Sequence, residues 1–235
     1  MKLYQLILMC ACVMSTACGS RSSHTSSATS HLSLTIDQPR YFVSLYGYQG
    51  HGELNLPRRS HTWARFAAFE GVDLNRSNFS EFAISWLAAD ADIGMFQGIE
   101  VGRNFSHSET MAIAEDSPVD VKRTPYIEID ATLYANAVNR RETLTRGAST
   151  GKVRYKMIDD PNGRLQVLRE LPGGYSNCTH AVSDLVTATN GALLSTGTKR
   201  GFEASSAVFD WFLKGTGVVD PFGVNDWVVD SRLGD

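Results

Sequence analysis

The chain has 235 residues, 43% hydrophobic and 20% charged, an ordinary globular composition with enough length for one domain and a proper core. Its 22 basic and 25 acidic residues leave a formal charge of −3, without the basic excess that marks a nucleic-acid binder, so no nucleic-acid partner is expected. The Arg58-Arg59 and Arg140-Arg141 pairs read as solvated surface.

The N-terminus is set apart. Lys2 is the only charge before Arg21, and Leu3 to Ala17 is apolar apart from Tyr4, Gln5, Ser15 and Thr16. That run falls short of the roughly 20 residues of a membrane span and has the pattern of a signal peptide over residues 1–17. It ends in Ser15-Thr16-Ala17-Cys18-Gly19, which resembles the bacterial lipobox, with Ser15 where Leu is favoured. The resemblance implies cleavage before Cys18 and lipidation of that residue. Residues 18–33 then form a Ser/Thr-rich tether that contains His24 and His31, and residues 34–235 form a single domain. Cys10 and Cys12 leave with the signal, so Cys178 is the one thiol expected in the domain.

Residues 41–47, 61–69 and 82–87 are short, rich in aromatic and β-branched residues, and read as strands. Ser106 and Glu109 have the spacing of a capping box that opens a short helix to about Glu115. Residues 124–129 read as an edge strand because Pro125 cannot donate to a ladder. Asp130 caps a predicted helix to about Arg146, with Leu133, Ala137 and Leu144 on its apolar stripe. Residues 152–158 read as a further strand and 171–176 as a Pro/Gly loop. Asn177 is a good N-cap, so Cys178 falls in the first turn of the helix that follows. A last helix over 203–214 ends at Gly215, and the tail holds Trp227. The predicted class is α+β, a small antiparallel sheet packed on helices, one of which opens at Cys178.

A helix N-terminus favours a thiolate, and its free N–H groups can hold an oxyanion. Cys178 is therefore read as a nucleophile, against the alternative of a small buried hydrophobe. A base is then required. His61 starts a predicted strand and is the best candidate. His107 opens a short helix and His51 sits in a Gly-rich loop. His180 is two residues past the thiol, a spacing that does not face it on a helix, and is assigned to substrate contacts. Trp63 and Tyr175 are assigned there too. Trp63, Trp86, Trp211 and Trp227 could line a groove, with core packing preferred for Trp86 and Trp211. No HExxH and no paired CxxC is present, so neither a metal nor another cofactor is expected.

The run Ser176-Asn177-Cys178-Thr179-His180-Ala181-Val182 resembles the Asn-Cys-x-His signature of the circularly permuted NlpC/P60 group, which includes the lecithin:retinol-acyltransferase-like proteins. The resemblance implies a papain-like fold in which the catalytic His lies on an early strand and the Cys opens a later helix. His61 before Cys178 matches that order. Thr179 stands where the group has Glu, and Val72, Asp73 and Leu74 occupy the region of its second His. The orienting group is left open between Ser85 and Glu70. Asn177 is added as an oxyanion contact beside the Cys178 backbone. The expected protein is an exported lipoprotein of the bacterial cell envelope. It would be a thiol-dependent hydrolase or acyltransferase acting on an amide or ester of peptidoglycan, peptide or lipid. The alternative is a non-catalytic envelope module that binds glycan, peptide or lipid on the same scaffold.

Overall fold

The computed structural model describes residues 39–51, 57–69, 79–91, 98–115, 119–187, 191–196, 199, 201–216 and 228–229. The signal segment, Cys18, the tether with His24 and His31, Glu70 and Trp227 lie outside the described residues.

Two antiparallel strands dominate, β1 (Arg40–His51) and β2 (Pro57–Phe69). They pair from Arg40↔Phe69 to His51↔Pro57, with one irregularity at Gly50/His51. β3 (Phe79–Ile84) extends this sheet, but it covers only Ala64–Phe69 of β2. On the other side β6 (Val119–Arg123) and β7 (Ile127–Ile129) both pair with β1, and β10 (Val228–Val229) pairs with β6. A second sheet has the order β4 (Trp86–Ala88), β5 (Glu100–Asn104), β8 (Val153–Tyr155) and β9 (Gly174–Ser176), with β8 and β9 parallel. The class is mixed α+β with mainly antiparallel sheets, as the sequence indicates.

Ser85 is the one residue between β3 and β4, where the chain leaves one sheet for the other. The single strand expected over 82–87 is divided there. The Asn104 side chain bridges the break: its Oδ1 accepts from the Ser85 N–H at 3.0 Å and its Nδ2 donates to the Ala83 carbonyl at 3.0 Å.

Five helices are described: α1 (His107–Glu115), α2 (Ala131–Ser149), α3 (Pro161–Leu168), α4 (Cys178–Ser183) and α5 (Gly201–Thr216). The capping box forms in both directions, with Ser106 Oγ accepting from the Glu109 N–H and Glu109 accepting from the Ser106 N–H. Asp130 caps α2 by accepting from the Leu133 N–H at 2.7 Å. Among the described residues no helix is long and apolar enough to cross a membrane.

Both faces of the β1–β2 pair are buried. Strand alternation sends Val43, Leu45, Ala64 and Phe66 to one face, where they meet α2, α4 and α5 through Leu144, Val182 and Val208. It sends Tyr46, Tyr48 and Trp63 to the other, where they meet Leu87, Phe105, Ala114, Val121 and Cys178.

Candidate active site

His61 lies on β2 with its side chain fully buried, at 1% exposure. Its ring stacks on Trp63 of the same strand, centroids 5.5 Å apart and planes 9° off parallel. Tyr48 on β1 tilts against it at 5.6 Å. His61 Nε2 is 2.8 Å from Ser85 Oγ. The Thr110 hydroxyl of α1 shares its proton between Ser85 Oγ, 2.7 Å away, and the Ser106 carbonyl, 2.8 Å away. His61 Nδ1 is buried and has no hydrogen-bond partner among the described residues. Ser85 is thus the polar group that meets the imidazole.

These contacts select a tautomer. Burial pushes the imidazole down to about 3, so the ring is neutral and holds one proton. With that proton on Nε2, Ser85 Oγ accepts it and Nδ1 keeps a bare lone pair. With it on Nδ1, a buried N–H would have no acceptor, the costlier arrangement. The free basic atom is Nδ1.

Cys178 opens α4 and shares a packed cluster with Trp63, on which His61 stacks. The Thr62 backbone N–H, on the stretch of β2 that β3 does not cover, favours the thiolate, as do the Thr179 hydroxyl and the N–H groups of Cys178 and Thr179. Burial outweighs them and pushes the thiol up from its ordinary value. The expectation of a thiolate poised by the helix end is corrected: with 8% exposure, desolvation wins over the partial charge of a six-residue helix. The Tyr155 hydroxyl, also pushed up by burial, feels the charges of Cys178 and Tyr48 and donates to Met157 Sδ at 3.4 Å. Tyr155 is not singled out by the sequence, which predicts only a strand over residues 152–158; in the structure Val153 and Tyr155 are buried and Arg154 is exposed.

The other assigned residues serve the scaffold. Asn177 Oδ1 accepts from the His180 N–H at 2.8 Å and its Nδ2 donates to the Met157 carbonyl at 3.1 Å, so both ends of the amide hold the turn before Cys178. Trp63 is wholly buried between His61 and Tyr46 and donates to His107 Nδ1 at 3.2 Å. It packs the core and does not line a groove. His180 is turned towards Asp159, 3.6 Å from its Nδ1, and burial pushes it down to about 4. At 1% exposure it offers no surface to a substrate. Tyr175 packs on Gly163 of α3, where a Cβ would fall 2.5 Å from its ring, and Lys156 Nζ lies 5.2 Å from its centroid. Trp86 and Trp211 pack in the core as expected.

No protein-family model, curated protein or solved structure matches this chain.

Proposed function

We propose that the chain is an exported lipoprotein of the bacterial envelope, held to a membrane through Cys18, with a papain-like domain of the permuted NlpC/P60 kind. In this reading it is a thiol-dependent hydrolase or acyltransferase on an amide or ester bond. The observation that supports it is the buried His61, tied to Ser85 through Nε2 and stacked on Trp63, which shares a packed cluster with Cys178.

Both groups rest neutral and share no hydrogen bond among the described residues, so substrate binding must bring the thiol and Nδ1 together. Nδ1 of His61 takes the thiol proton as Sγ of Cys178 bonds to the substrate carbonyl carbon. The carbonyl becomes an oxyanion within reach of the backbone N–H groups at the start of α4. Collapse breaks the bond to the leaving nitrogen or oxygen, which receives the proton from Nδ1, and a thioester remains. Water or an acceptor hydroxyl or amine then releases the acyl group and restores the thiol.

A non-catalytic module is the second reading, favoured by the burial that holds the thiol protonated. Incubation of the full chain with p-nitrophenyl acyl esters, followed by intact-mass analysis, separates the two. An acyl adduct that maps to Cys178 and disappears in Cys178→Ser and His61→Ala supports catalysis. Absence of adduct and of p-nitrophenol release from a folded protein removes it.

A further inference from the structure

The Arg140-Arg141 pair is only half what its sequence suggests. Arg141 is exposed, with its guanidinium 5.4 Å from the Phe82 ring centroid. Arg140 is 7% exposed and falls on the buried stripe of α2, between Ala137 and Leu144. A cation on an apolar stripe requires partners, because an unpaired buried charge is strongly unfavourable. The nearby carboxylates are taken. Arg164 binds Asp184 through Nε and a terminal nitrogen, and binds Asp159 at 3.2 Å through the other. Glu170 accepts from Arg146 at 3.0 Å and from the Thr143 hydroxyl at 3.2 Å. Arg140 makes one hydrogen bond among the described residues, to the Asp184 backbone carbonyl at 3.3 Å. A guanidinium has five N–H donors in a planar fork.

Arg140 lines a cavity of about 220 Å³ between α2, α3 and the end of α4. Asn136, Asn139 and Thr143 of α2 add polar groups to its wall, Val167 and Leu185 add apolar ones, and two carboxylates line it as well, Asp184, paired with Arg164, and Glu170, paired with Arg146. We propose that this cavity is a binding site for a small monocarboxylate, held by the fork of Arg140 with the amides of Asn136 and Asn139 beside it. A carboxylate matches the fork with two parallel bonds, and among the described residues Arg140 is the one cation that lines this cavity, with no side-chain hydrogen bond to a carboxylate of its own. The lining carboxylates Glu170 and Asp184 repel a doubly charged phosphate more strongly than a singly charged ligand. The site is independent of the reaction at Cys178.

The test is an NMR titration of the full chain with sodium acetate and, separately, with inorganic phosphate at matched ionic strength. Acetate should shift the Arg140 Nε–Hε and the Asn136 and Asn139 side-chain amide signals saturably, and should raise the melting temperature. Arg140→Lys keeps the charge but loses the fork, and should weaken acetate binding on the order of tenfold. Arg140→Met should abolish it while α4 stays folded. Arg140 could instead serve only to satisfy the carbonyl at the end of α4. In that case Arg140→Met melts lower but acetate shifts nothing in the wild type, which overturns the proposal. Saturable binding of phosphate without acetate, or acetate binding unchanged in Arg140→Met, also overturns it.

Discussion

The Trp86 indole donates to the Ser176 carbonyl at 3.0 Å, across the core from one sheet-change residue's neighbour to the residue two before the thiol. Ser85 meets His61 and Trp86 meets Ser176, so one dipeptide positions both halves of the candidate site. Trp86 fits because Gly102 lies under it: a Cβ there would fall 2.0 Å from the indole ring. Gly102→Ala should therefore destabilise by about 1–3 kcal/mol, the ordinary cost of overpacking. The check is a thermal melt, in which it should fall several degrees. Gly98→Ala, which meets nothing within 4 Å, should melt like the wild type.

The tautomer assigned to His61 is directly readable. In ¹⁵N spectra of the wild type near neutral pH, Nε2 should carry the proton and Nδ1 should show the shift of a bare nitrogen. Ser85→Ala removes the acceptor and should let the Nδ1–H form appear. Thr110→Val, one hydroxyl further out, should cost about 1 kcal/mol of stability and leave the Nε2–H form in place. A wild-type Nδ1–H signal would contradict the arrangement.

Alkylation of Cys178 should report burial and not activation. Burial raises the thiol above its ordinary value, so the native iodoacetamide rate should still be climbing at a pH where that of a free thiol has levelled off. Unfolding in denaturant should speed the reaction and lower its midpoint to that of a free thiol, about 8.5. A native midpoint below 7 would mean that a charge not accounted for here stabilises the thiolate.

Two depressed histidines set the acid limit. His61 falls from 6.5 to about 3 and His180 from 6.5 to about 4, both because burial penalises the cation. Below pH 6.5 the unfolded chain binds these protons and the folded one does not, so their contribution is complete above 6.5 and is lost as pH falls. Each should remove up to about 1.4 kcal/mol per pH unit, His180 down to about pH 4 and His61 down to about pH 3. Urea melts of the wild type at stepped pH should show this slope, and His61→Phe should make it shallower.

Local signals carried the elements well where they were local. The Asp130 cap, the capping box at Ser106 and the Asn177 cap each form as spaced, because each needs only a neighbour three residues away. Helix α3 was missed although Asp160-Pro161 is a fair start signal, since eight residues give little periodicity. Ser85 was legible as a candidate, but its contact with His61 depends on the chain changing sheets there. Arg140 misled because its burial is decided by α3 and the end of α4, far from it in sequence. The same distance hid the engagement of Asn177 with Met157.

The long β1–β2 pairing has a consequence beyond holding two strands together. On β2 the hydroxyl of Thr62 meets Ser205 on α5, 2.7 Å away, while its neighbour His61 faces Ser85. A slip of one residue would turn Thr62 towards Ser85 and swing the imidazole to α5, since alternate side chains exchange faces. The hairpin from Arg40 to Phe69 acts as an address: every added cross-strand pair makes a misplaced base less accessible to the folding chain. Shortening its far end, well away from the thiol, would then yield a protein that is nearly as stable but chemically heterogeneous.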